Sequence, residues 1–342
     1  MKGIAIPLGR ASSGHGARGS RSCAAIEALA VALLALLVGA PNLALPADVQ
    51  APPRLDDTAL QQQLLKAAAV APKRGVFFEV SSASNTIYIF GTIHAGRADF
   101  YPLNAAVVRA LAGSSRVVLE LDFTDQTTAE KVAKAGAYPP GMSLDRALSP
   151  ELMQRLERAM SRYGVASEGI RHKKPWAITL ELLSLESERL GYSSMFATDL
   201  YVAALAKLFD KPISGLESAD EQIAVLDGLS DEEQRATLED TLAALDDGRA
   251  KAELESVVNA WASADSTALA SSLAKARAAA PPGQRSLQRR VLDERNAIMA
   301  ERIEAIVRSG QPALVAVGSA HLVGPGSVVE LLRKRGFSVR EL

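Results

Sequence analysis

Apolar and polar positions follow a strand-like pattern at the start of the folded part of the chain. Short β-branched and aromatic runs at residues 76–80 and 86–90 flank the turn-forming stretch SSASN, which predicts a hairpin. The apolar spacing at 101–114 predicts a helix that stops at Gly113, and the apolar run at 116–122 predicts a buried strand. The first unit is therefore strand, turn, helix and strand.

The middle of the chain, from about residue 124 to 309, changes to a mainly helical pattern. Ser149 stands before a proline, and the stretch SDEE at 230–233 has the spacing of a capping box, so both mark helix starts. A short apolar segment at 211–218 interrupts the helices. It predicts a strand that ends in Glu217.

The last part of the chain returns to strands. A long helix from about residue 285 to 308 precedes a strand, a turn, a helix and a final strand. The whole pattern predicts an α/β (α+β) fold with a central mixed β-sheet flanked by helices and a large helical insertion at about 124–296. We expect one domain at 71–342, preceded by a linker and a leading helix at 48–70.

The N-terminal residues differ in character from the rest. Basic residues precede an Ala/Leu/Val-rich run at 24–40, and small residues follow it, a pattern typical of a secretory signal. We therefore expect residues 1–47 to be a signal peptide and the protein to be periplasmic or secreted. The run is shorter than the roughly 20 residues that span a bilayer comfortably. An uncleaved anchor in the inner membrane stays open as the alternative, because Glu27 and the long basic region are unusual for a cleaved signal.

Charge and cysteine content exclude several classes of function. Lys plus Arg number 38 and Asp plus Glu number 39, so the formal net charge is −1 and no global field favours nucleic acid or an anionic membrane. The single cysteine, Cys23, lies before the apolar run. The folded part therefore has no disulfide, zinc ribbon or cysteine nucleophile. Oligomeric state is not readable from the sequence.

Two of the four histidines end a G-x-x-H turn that follows a strand-length apolar run. The stretches GTIH, ending in His94, and GSAH, ending in His321, each follow a strand-length apolar run, and the glycine allows a sharp turn. If the two strands are parallel neighbours, both imidazoles lie at one sheet edge, where Glu120 and Glu217 end two other predicted strands. Imidazoles and carboxylates with an open position suit a divalent metal that activates water for hydrolysis.

Plainer interpretations exist for each of these residues. A single strand-end histidine is more often structural, Glu120 also suits a solvated strand end or an arginine pair, and Glu217 also suits the cap of a helix starting near residue 219. Arg295 and Asn296 fall within a helix, where a solvated face is the ordinary expectation. His172 lies in a basic loop, which indicates a surface or structural role. No G-x-S-x-G, H-E-x-x-H or P-loop motif is present, and a serine triad has no positive support.

Several motifs in order resemble a known family. They are IYIFGTIHAGRADFYPL, VVLELD, KPISGLES, DGLSDEEQ, LDERN and AVGSAHLVGPGSVVELLRKRGFSV. Together they resemble the TraB/GumN family of exported bacterial proteins, which is related to the Tiki metalloproteases. The resemblance runs from about residue 76 to 342.

The resemblance implies a metal-dependent hydrolase, with a peptide or protein as its substrate. It implies manganese or cobalt as the divalent metal, with zinc also compatible. The implied ligands are His94, His321 and Glu217.

The same resemblance implies catalytic roles for three further residues. Glu120 would be the general base or a further ligand, Arg295 would stabilise oxyanion charge or anchor a substrate carboxylate, and Asn296 would donate hydrogen bonds nearby. The alternative is a non-catalytic periplasmic protein that binds a metal, haem or a peptide. Membrane contact is expected only through an uncleaved N-terminal segment.

Overall fold

The computed structural model describes residues 57–279 and 287–342. The expected signal peptide at 1–47 lies outside the described residues. Among the helices in the described ranges, none is both long enough and apolar enough to cross a membrane.

Six strands form one mixed sheet at the centre of the molecule. They are β1 (Phe77–Ser81), β2 (Thr86–Thr92), β3 (Arg116–Leu121), β4 (Ile213–Glu217), β5 (Ala313–Gly318) and β6 (Ser338–Glu341). Their order across the sheet is β4-β3-β5-β2-β1-β6. Strands β4, β3, β5 and β2 are parallel, whereas β1 pairs antiparallel with both β2 and β6.

Helices surround this sheet, and most of them come from the predicted insertion. In the described ranges the α-helices are α1 (Asp57–Val70), α2 (Ala105–Gly113), α3 (Gln126–Ala135), α4 (Leu144–Ala147), α5 (Pro150–Ser161), α6 (Pro175–Arg189), α7 (Thr198–Leu208), α8 (Ala219–Asp227), α9 (Asp231–Asp247), α10 (Arg249–Ala262), α11 (Ser266–Ala279), α12 (Arg295–Arg308) and α13 (Val328–Lys334). Helices α3 to α12 all lie between β3 and β5 in sequence. The predicted fold class, a mixed sheet flanked by helices with a helical insertion, is confirmed.

Local signals place many of these elements. Ser149 caps α5 by accepting a hydrogen bond from the Leu152 N–H, and the capping box of Ser230 with Glu233 opens α9 as predicted. The long helix expected at 285–308 is different. In its described part a π-helical stretch, Arg289–Glu294, precedes α12. Such a stretch has a wider turn than an α-helix and changes which side chains face the sheet.

The parallel strands lie in the middle of the main core. Every residue of β5 is buried, and β2 and β3 on either side of it are buried over most of their lengths. Helices cover both faces of such a parallel sheet, so its strands contact almost no water. Polar side chains at the ends of these strands therefore lie in a poorly solvated place, where each of them requires a partner.

Candidate active site

Four adjacent parallel strands each carry one chemically distinctive residue at or just after the C-terminal end. In sheet order these are Glu217 on β4, Glu120 on β3, His321 after β5 and His94 after β2. The two motif strands, β2 and β5, are parallel neighbours, and the Ser319 hydroxyl donates to the Thr92 carbonyl oxygen at 2.9 Å. The structure thus brings both histidines to one edge of the sheet, where α/β folds commonly bind ligands.

The first glycine of the first motif, Gly91, is required by space, whereas that of the second, Gly318, lies close to the polar centre. A Cβ on Gly91 would lie 2.5 Å from Val76 Cγ2 and 2.7 Å from Ser319 Oγ, so any side chain there would push the second motif away. A Cβ on Gly318 would lie 3.2 Å from Glu120 Oε2 and 3.5 Å from His94 Nε2. Gly91 therefore permits the two motifs to pack together, and Gly318 forms the floor of the polar centre.

His94 is oriented by a carboxylate from the helical insertion. Its Nδ1 lies 2.7 Å from Oδ2 of Asp199, in the first turn of α7, and both side chains are buried. A carboxylate accepts hydrogen bonds, so Nδ1 donates and Nε2 is the nitrogen directed to the centre. Burial by itself lowers the pKa of His94, but the charge and hydrogen bond of Asp199, together with the charge of Glu120, raise it above 6.5.

His321 is oriented in the same way by an amide. Its Nδ1 lies 2.6 Å from Oδ1 of Asn296, and Asn296 Nδ2 donates to the Gly326 carbonyl oxygen at 2.9 Å, which sets the orientation of the amide. Nδ1 of His321 is therefore the donor, and Nε2 is again the nitrogen that this hydrogen bond does not use. Burial, aided by the charge of Arg295, lowers the pKa of His321 to about 3. This imidazole is neutral at ordinary pH.

Both Nε2 atoms are buried and, among the described residues, have no hydrogen-bond partner. Asp199 Oδ1 is likewise buried and has no hydrogen-bond partner among the described residues. Leaving a buried polar group unsatisfied costs about 1–3 kcal/mol. Two oriented imidazole nitrogens that bear this cost indicate a centre arranged for a ligand rather than for stability.

Glu120 faces the histidines as a carboxylate. The Gly318 N–H donates to its Oε2 at 2.8 Å, and Arg295 Nη2 donates to its Oε1. Burial on its own raises the pKa of Glu120, but the charges of Arg295 and of the two histidines and the Gly318 hydrogen bond outweigh it and lower the pKa to about 2. A carboxylate with so low a pKa is a weak proton acceptor and a good partner for a cation.

Glu217 lies on the far side of this cluster and is held by Arg295. The Arg295 Nε is 3.1 Å from each Glu217 oxygen, Nη2 contacts the same carboxylate, and Nη1 donates to the Val291 carbonyl oxygen at 3.3 Å. The Gln222 amide donates to Glu217 at 3.0 Å and to Glu120 at 3.3 Å. All three nitrogens of the guanidinium group are thus engaged. Burial lowers the pKa of Arg295, but the charges and hydrogen bonds of Glu120 and Glu217 outweigh it and raise this pKa above its ordinary value.

The donor set fits a divalent cation in part. Three carboxyl groups, those of Glu120, Glu217 and Asp199, share the centre with one guanidinium group, which leaves negative charge for a cation to balance. Within the described ranges, however, no three His, Cys, Asp or Glu side chains surround one point closely enough to hold an ion. Arg295 engages Glu120 and Glu217 in this arrangement. The available donors are the two Nε2 atoms, with Glu120 Oε2 nearby.

The structure changes the plainer interpretations of several residues. Glu217 is not the cap of α8, because Ser218 caps that helix in a capping box with Glu221. Arg295 and Asn296 do not lie on a solvated face, since they are only 4% and 2% exposed. His172 is exposed, as expected for a loop histidine.

Two residues of the centre were missed from sequence, Asp199 and Gln222. Asp199 stands in the first turn of a helix, where an acidic residue is ordinary, and Gln222 stands in a capped helix without any motif. Their distance in sequence from His94 and Glu120 gives no signal. The roles predicted for the six candidate residues themselves stay predictions.

Comparison with known proteins now places the chain. The model of the TraB/PrgY/gumN family matches residues 76–341. The chain belongs to this family. The match covers both motifs, the helical insertion and the last strand, so the family resemblance is confirmed over nearly the whole described fold.

Relatives with names show what the chain is similar to. It is 25% identical over 250 residues to the uncharacterized protein YbaP of Escherichia coli, which covers 72% of this chain and 87% of that protein. It is 25% identical over 299 residues to metalloprotease TIKI2 of Danio rerio, a match that covers 74% of this chain and 57% of that protein. It is 23% identical over 299 residues to metalloprotease TIKI1 of Homo sapiens, a match that covers 74% of this chain and 59% of that protein. No solved structure matches the chain.

Proposed function

We propose that the protein is a metal-dependent hydrolase of the TraB/PrgY/gumN family that cleaves peptide bonds. The observation that carries the proposal is the pair of buried imidazoles, His94 and His321, each oriented through Nδ1 and each with an Nε2 that has no hydrogen-bond partner among the described residues. Both lie close enough to Glu120 for their charges to lower its pKa. Hydrogen-bonded Nδ1 atoms with Nε2 atoms turned to one centre are the usual arrangement of metal-binding histidines.

The two Nε2 atoms would hold the cation, with Glu120 as the adjacent carboxylate. A divalent cation bound there would polarise a substrate carbonyl group and activate water. The low pKa of Glu120 supports a ligand or charge-balancing role for it over that of general base. Arg295 holds both oxygens of Glu217, whereas Arg295 and Gln222 contact only Oε1 of Glu120. The contacts therefore support Glu120, through its Oε2, more strongly as the third donor.

The remaining residues would hold this arrangement in place. Asp199 and Asn296 fix the tautomer and direction of the imidazoles, and Arg295 pairs with the two buried side chains of Glu120 and Glu217. Because all its nitrogens are engaged, Arg295 acts here as a positioning residue, and an oxyanion role would require one of these bonds to break. Hydrolysis adds the hydroxyl group of water to the acyl carbon and a proton to the leaving amine.

A peptide substrate is proposed on the similarity to proteins named metalloproteases. Manganese or cobalt is proposed as the metal on the family resemblance, and zinc remains compatible with imidazole and carboxylate donors. Export through the N-terminal segment belongs to the same proposal. Determination of the N-terminal residue of protein purified from its host checks it, since an intact Met1 would exclude cleavage.

The decisive experiment measures bound metal and peptide cleavage together. Purified protein is loaded with Mn²⁺, Co²⁺ or Zn²⁺ in turn, and bound metal is quantified by elemental analysis while an unstructured protein such as casein is assayed for cleavage. We expect about one ion per chain and cleavage that a chelator abolishes. His94→Ala and His321→Ala should each lose both properties, because each removes one of two imidazole donors.

His172→Ala is the matched control, since His172 is exposed and outside the centre. It should retain metal and activity. Cleavage that survives both centre substitutions, or that ignores the chelator, would refute the proposal. Metal bound through His94 and His321 without cleavage of any peptide would instead establish the non-catalytic binding protein, and a haem spectrum after haem addition would identify that form of it.

A further inference from the structure

One hydroxyl group of the first motif differs from its counterpart in the second. The residue after the first glycine is Thr92 in GTIH and Ser319 in GSAH. The Ser319 hydroxyl donates to the Thr92 carbonyl oxygen, so it holds the two motifs together. The Thr92 Oγ1 atom is also buried, but within residues 57–279 and 287–342 it has no hydrogen-bond partner. Packing of the motifs therefore accounts for one hydroxyl group and not for the other.

The register of the sheet places the Thr92 side chain at the centre. Thr92 is the last residue of β2 and pairs with Gly318 of the parallel strand β5. Paired residues of parallel strands project to the same face, and the strands lie about 4.8 Å apart. A Cβ on Gly318 would be 3.2 Å from Glu120 Oε2 and 3.5 Å from His94 Nε2. The Thr92 Cβ therefore projects to the same side, one strand spacing from that point.

Other buried threonines in the described chain all have a partner for the hydroxyl group. They are Thr128, Thr179, Thr198, Thr237 and Thr241. A buried hydroxyl group without a partner destabilises the native state. The exception at Thr92 therefore indicates a group that serves a ligand, as do the unpartnered Nε2 atoms of the two histidines.

The other side-chain donors of the centre are already engaged. Arg295 and Gln222 donate to Glu120 and Glu217. The Asn296 amide donates to a backbone carbonyl oxygen, and both imidazole Nδ1–H groups donate to their acceptors. No arginine or amide donor of the centre is thus available to a substrate in this arrangement of the described residues.

The unpartnered atoms that remain at the centre are acceptors, with one exception. In the part of the chain that the structure describes, they are the two imidazole Nε2 atoms, Oδ1 of Asp199 and the Thr92 hydroxyl. A hydroxyl group can donate, whereas a carboxylate oxygen and a deprotonated imidazole nitrogen cannot. Attack on an acyl carbon places negative charge on the acyl oxygen, and a donor directed at that oxygen stabilises the transition state.

We propose that the Thr92 hydroxyl group is a further catalytic group, which donates a hydrogen bond to the acyl oxygen of the substrate as that oxygen gains negative charge. The hydroxyl keeps its proton throughout, so the bonds made and broken are those of the hydrolysis itself. The proposal rests on the proposed function. It gives Thr92 the oxyanion role that the family resemblance implied for Arg295.

Thr92→Val tests the donor role, because it removes the hydroxyl group and keeps the shape of the side chain. With casein as the substrate of metal-loaded protein, kcat should fall about 100- to 1,000-fold while KM changes little, as for the loss of one oxyanion donor. Thr92→Ser restores a hydroxyl group and should recover most of the rate. Bound metal, measured by elemental analysis, should be unchanged in both variants.

Thr86→Val is the matched control on the same strand. Thr86 lies at the opposite end of β2, and its Oγ1 is 3.1 Å from Ser81 Oγ, so this substitution removes a hydroxyl group that has a partner. Cleavage should be unchanged. In chelated protein, Thr86→Val should lower the midpoint of thermal unfolding, whereas Thr92→Val should not, because no hydrogen bond is lost. A purely structural role of the Thr92 hydroxyl predicts a lower midpoint instead.

A binding measurement needs no catalysis. Inorganic phosphate is a tetrahedral oxyanion, like the species that forms at the attacked carbon, and its binding is followed by the visible absorption of Co²⁺-loaded protein. Phosphate affinity should fall about 10–100-fold in Thr92→Val, the loss expected when an anion loses one hydrogen bond. It should be unchanged in Thr86→Val.

These measurements separate the donor role from the function beneath it. Undiminished kcat in Thr92→Val, or loss of its bound metal, would overturn the donor role and leave the hydrolase standing. If the native sequence cleaves no peptide, the hydrolase is refuted, and the phosphate measurement decides by itself whether Thr92 holds an oxyanion. Absence of both cleavage and a phosphate effect would overturn both.

Discussion

The two G-x-x-H motifs are alike in backbone and different in electrostatics. Each histidine follows a parallel strand, donates through Nδ1 to the second residue of a helix and leaves Nε2 unpartnered among the described residues. The acceptor is a carboxylate for His94 and an amide for His321. Consequently, the pKa of His94 is raised and that of His321 is lowered to about 3.

This difference shows that the motif itself does not determine the protonation of its histidine. Burial lowers the pKa of both imidazoles, and for His94 alone the charge and hydrogen bond of Asp199, together with the charge of Glu120, outweigh it. Without a cation, His94 is therefore the imidazole that takes up a proton, while His321 is a ready neutral ligand. Metal uptake should release a proton chiefly from His94.

The largest expected effect comes from Arg295, which lowers the pKa of both histidines and joins Glu120 to Glu217. Arg295→Met leaves two buried carboxylates without their cation and should lower the free energy of unfolding by about 3–5 kcal/mol. It should also raise the pKa of both histidines, since the charge of Arg295 lowers both. Urea unfolding and NMR titration of chelated protein measure the two effects.

Arg302→Met provides the comparison for that result. Arg302 is on the same helix and pairs with Glu221 near the surface, where an ion pair contributes about 0–1 kcal/mol. Equal losses in the two variants would show that the Arg295 cluster contributes no more than a surface pair.

The pH dependence of stability should show the two histidines with opposite signs. The native pKa of His321 lies below 6.5, so between the two pKa values His321 is protonated in the unfolded chain and neutral in the native state. Stability therefore falls as pH decreases from 6.5 towards 3. The native pKa of His94 lies above 6.5, so its contribution is complete below 6.5 and is lost as pH rises through the native value. For His321, whose window is wide, the slope approaches about 1.4 kcal/mol per pH unit.

Two substitutions in chelated protein test which histidine causes each part of the stability curve, the limb below pH 6.5 and the limb above it. His321→Gln should flatten the limb between pH 4.5 and 6.5. Glu120 titrates below this range, because its pKa is 4.5 in the unfolded chain and about 2 in the native protein. His94→Gln should flatten the limb above 6.5. Flattening of the same limb by both substitutions would contradict the assignment.

Exchange of the acceptors should make the motifs alike. Asp199→Asn removes the charge that contributes most to raising the pKa of His94 against burial, so this pKa should fall below 6.5 and metal affinity should decrease about 10–100-fold. Asn296→Asp should raise the pKa of His321 towards that of His94. NMR titration and metal-binding calorimetry are the measurements. An unchanged pKa of His94 in Asp199→Asn would refute the explanation given for the difference.

The smallest effects are expected at the two glycines, and they should differ in kind. Gly91→Ala places a methyl group 2.5 Å from Val76 Cγ2 and should lower unfolding free energy by about 1–2 kcal/mol through overpacking. Gly318→Ala places it at 3.2–3.5 Å from Glu120 Oε2 and His94 Nε2, which should weaken metal binding a few-fold with less loss of stability. Identical profiles for both variants would contradict the separate roles.

Much of the local structure could be predicted from the sequence. The hairpin, the helix stop at Gly113, the strand ending in Glu217 and the caps at Ser149 and Ser230 depend on neighbours in sequence and appear where expected. The π-helical stretch before Arg295 was not predicted, because helical periodicity does not distinguish a wide turn from a regular one.

The acceptors of the two histidines could not be predicted in the same way. Asn296 was selected as a hydrogen-bond donor, and its amide does donate to Gly326, but its oxygen holds His321. Asp199, 105 residues from His94 in sequence, gave no signal at all. Contacts of this kind depend on how the insertion packs over the sheet.

By itself, the sequence determined the family, the class of fold and the pair of strand-end histidines, since periodicity, caps and G-x-x-H turns are local properties of the chain. Only the tertiary structure decided which histidine meets a carboxylate and that Arg295 engages Glu120 and Glu217. The physical reason is that hydrogen bonding and charge in a buried centre depend on distances of a few ångströms between residues about a hundred positions apart in sequence.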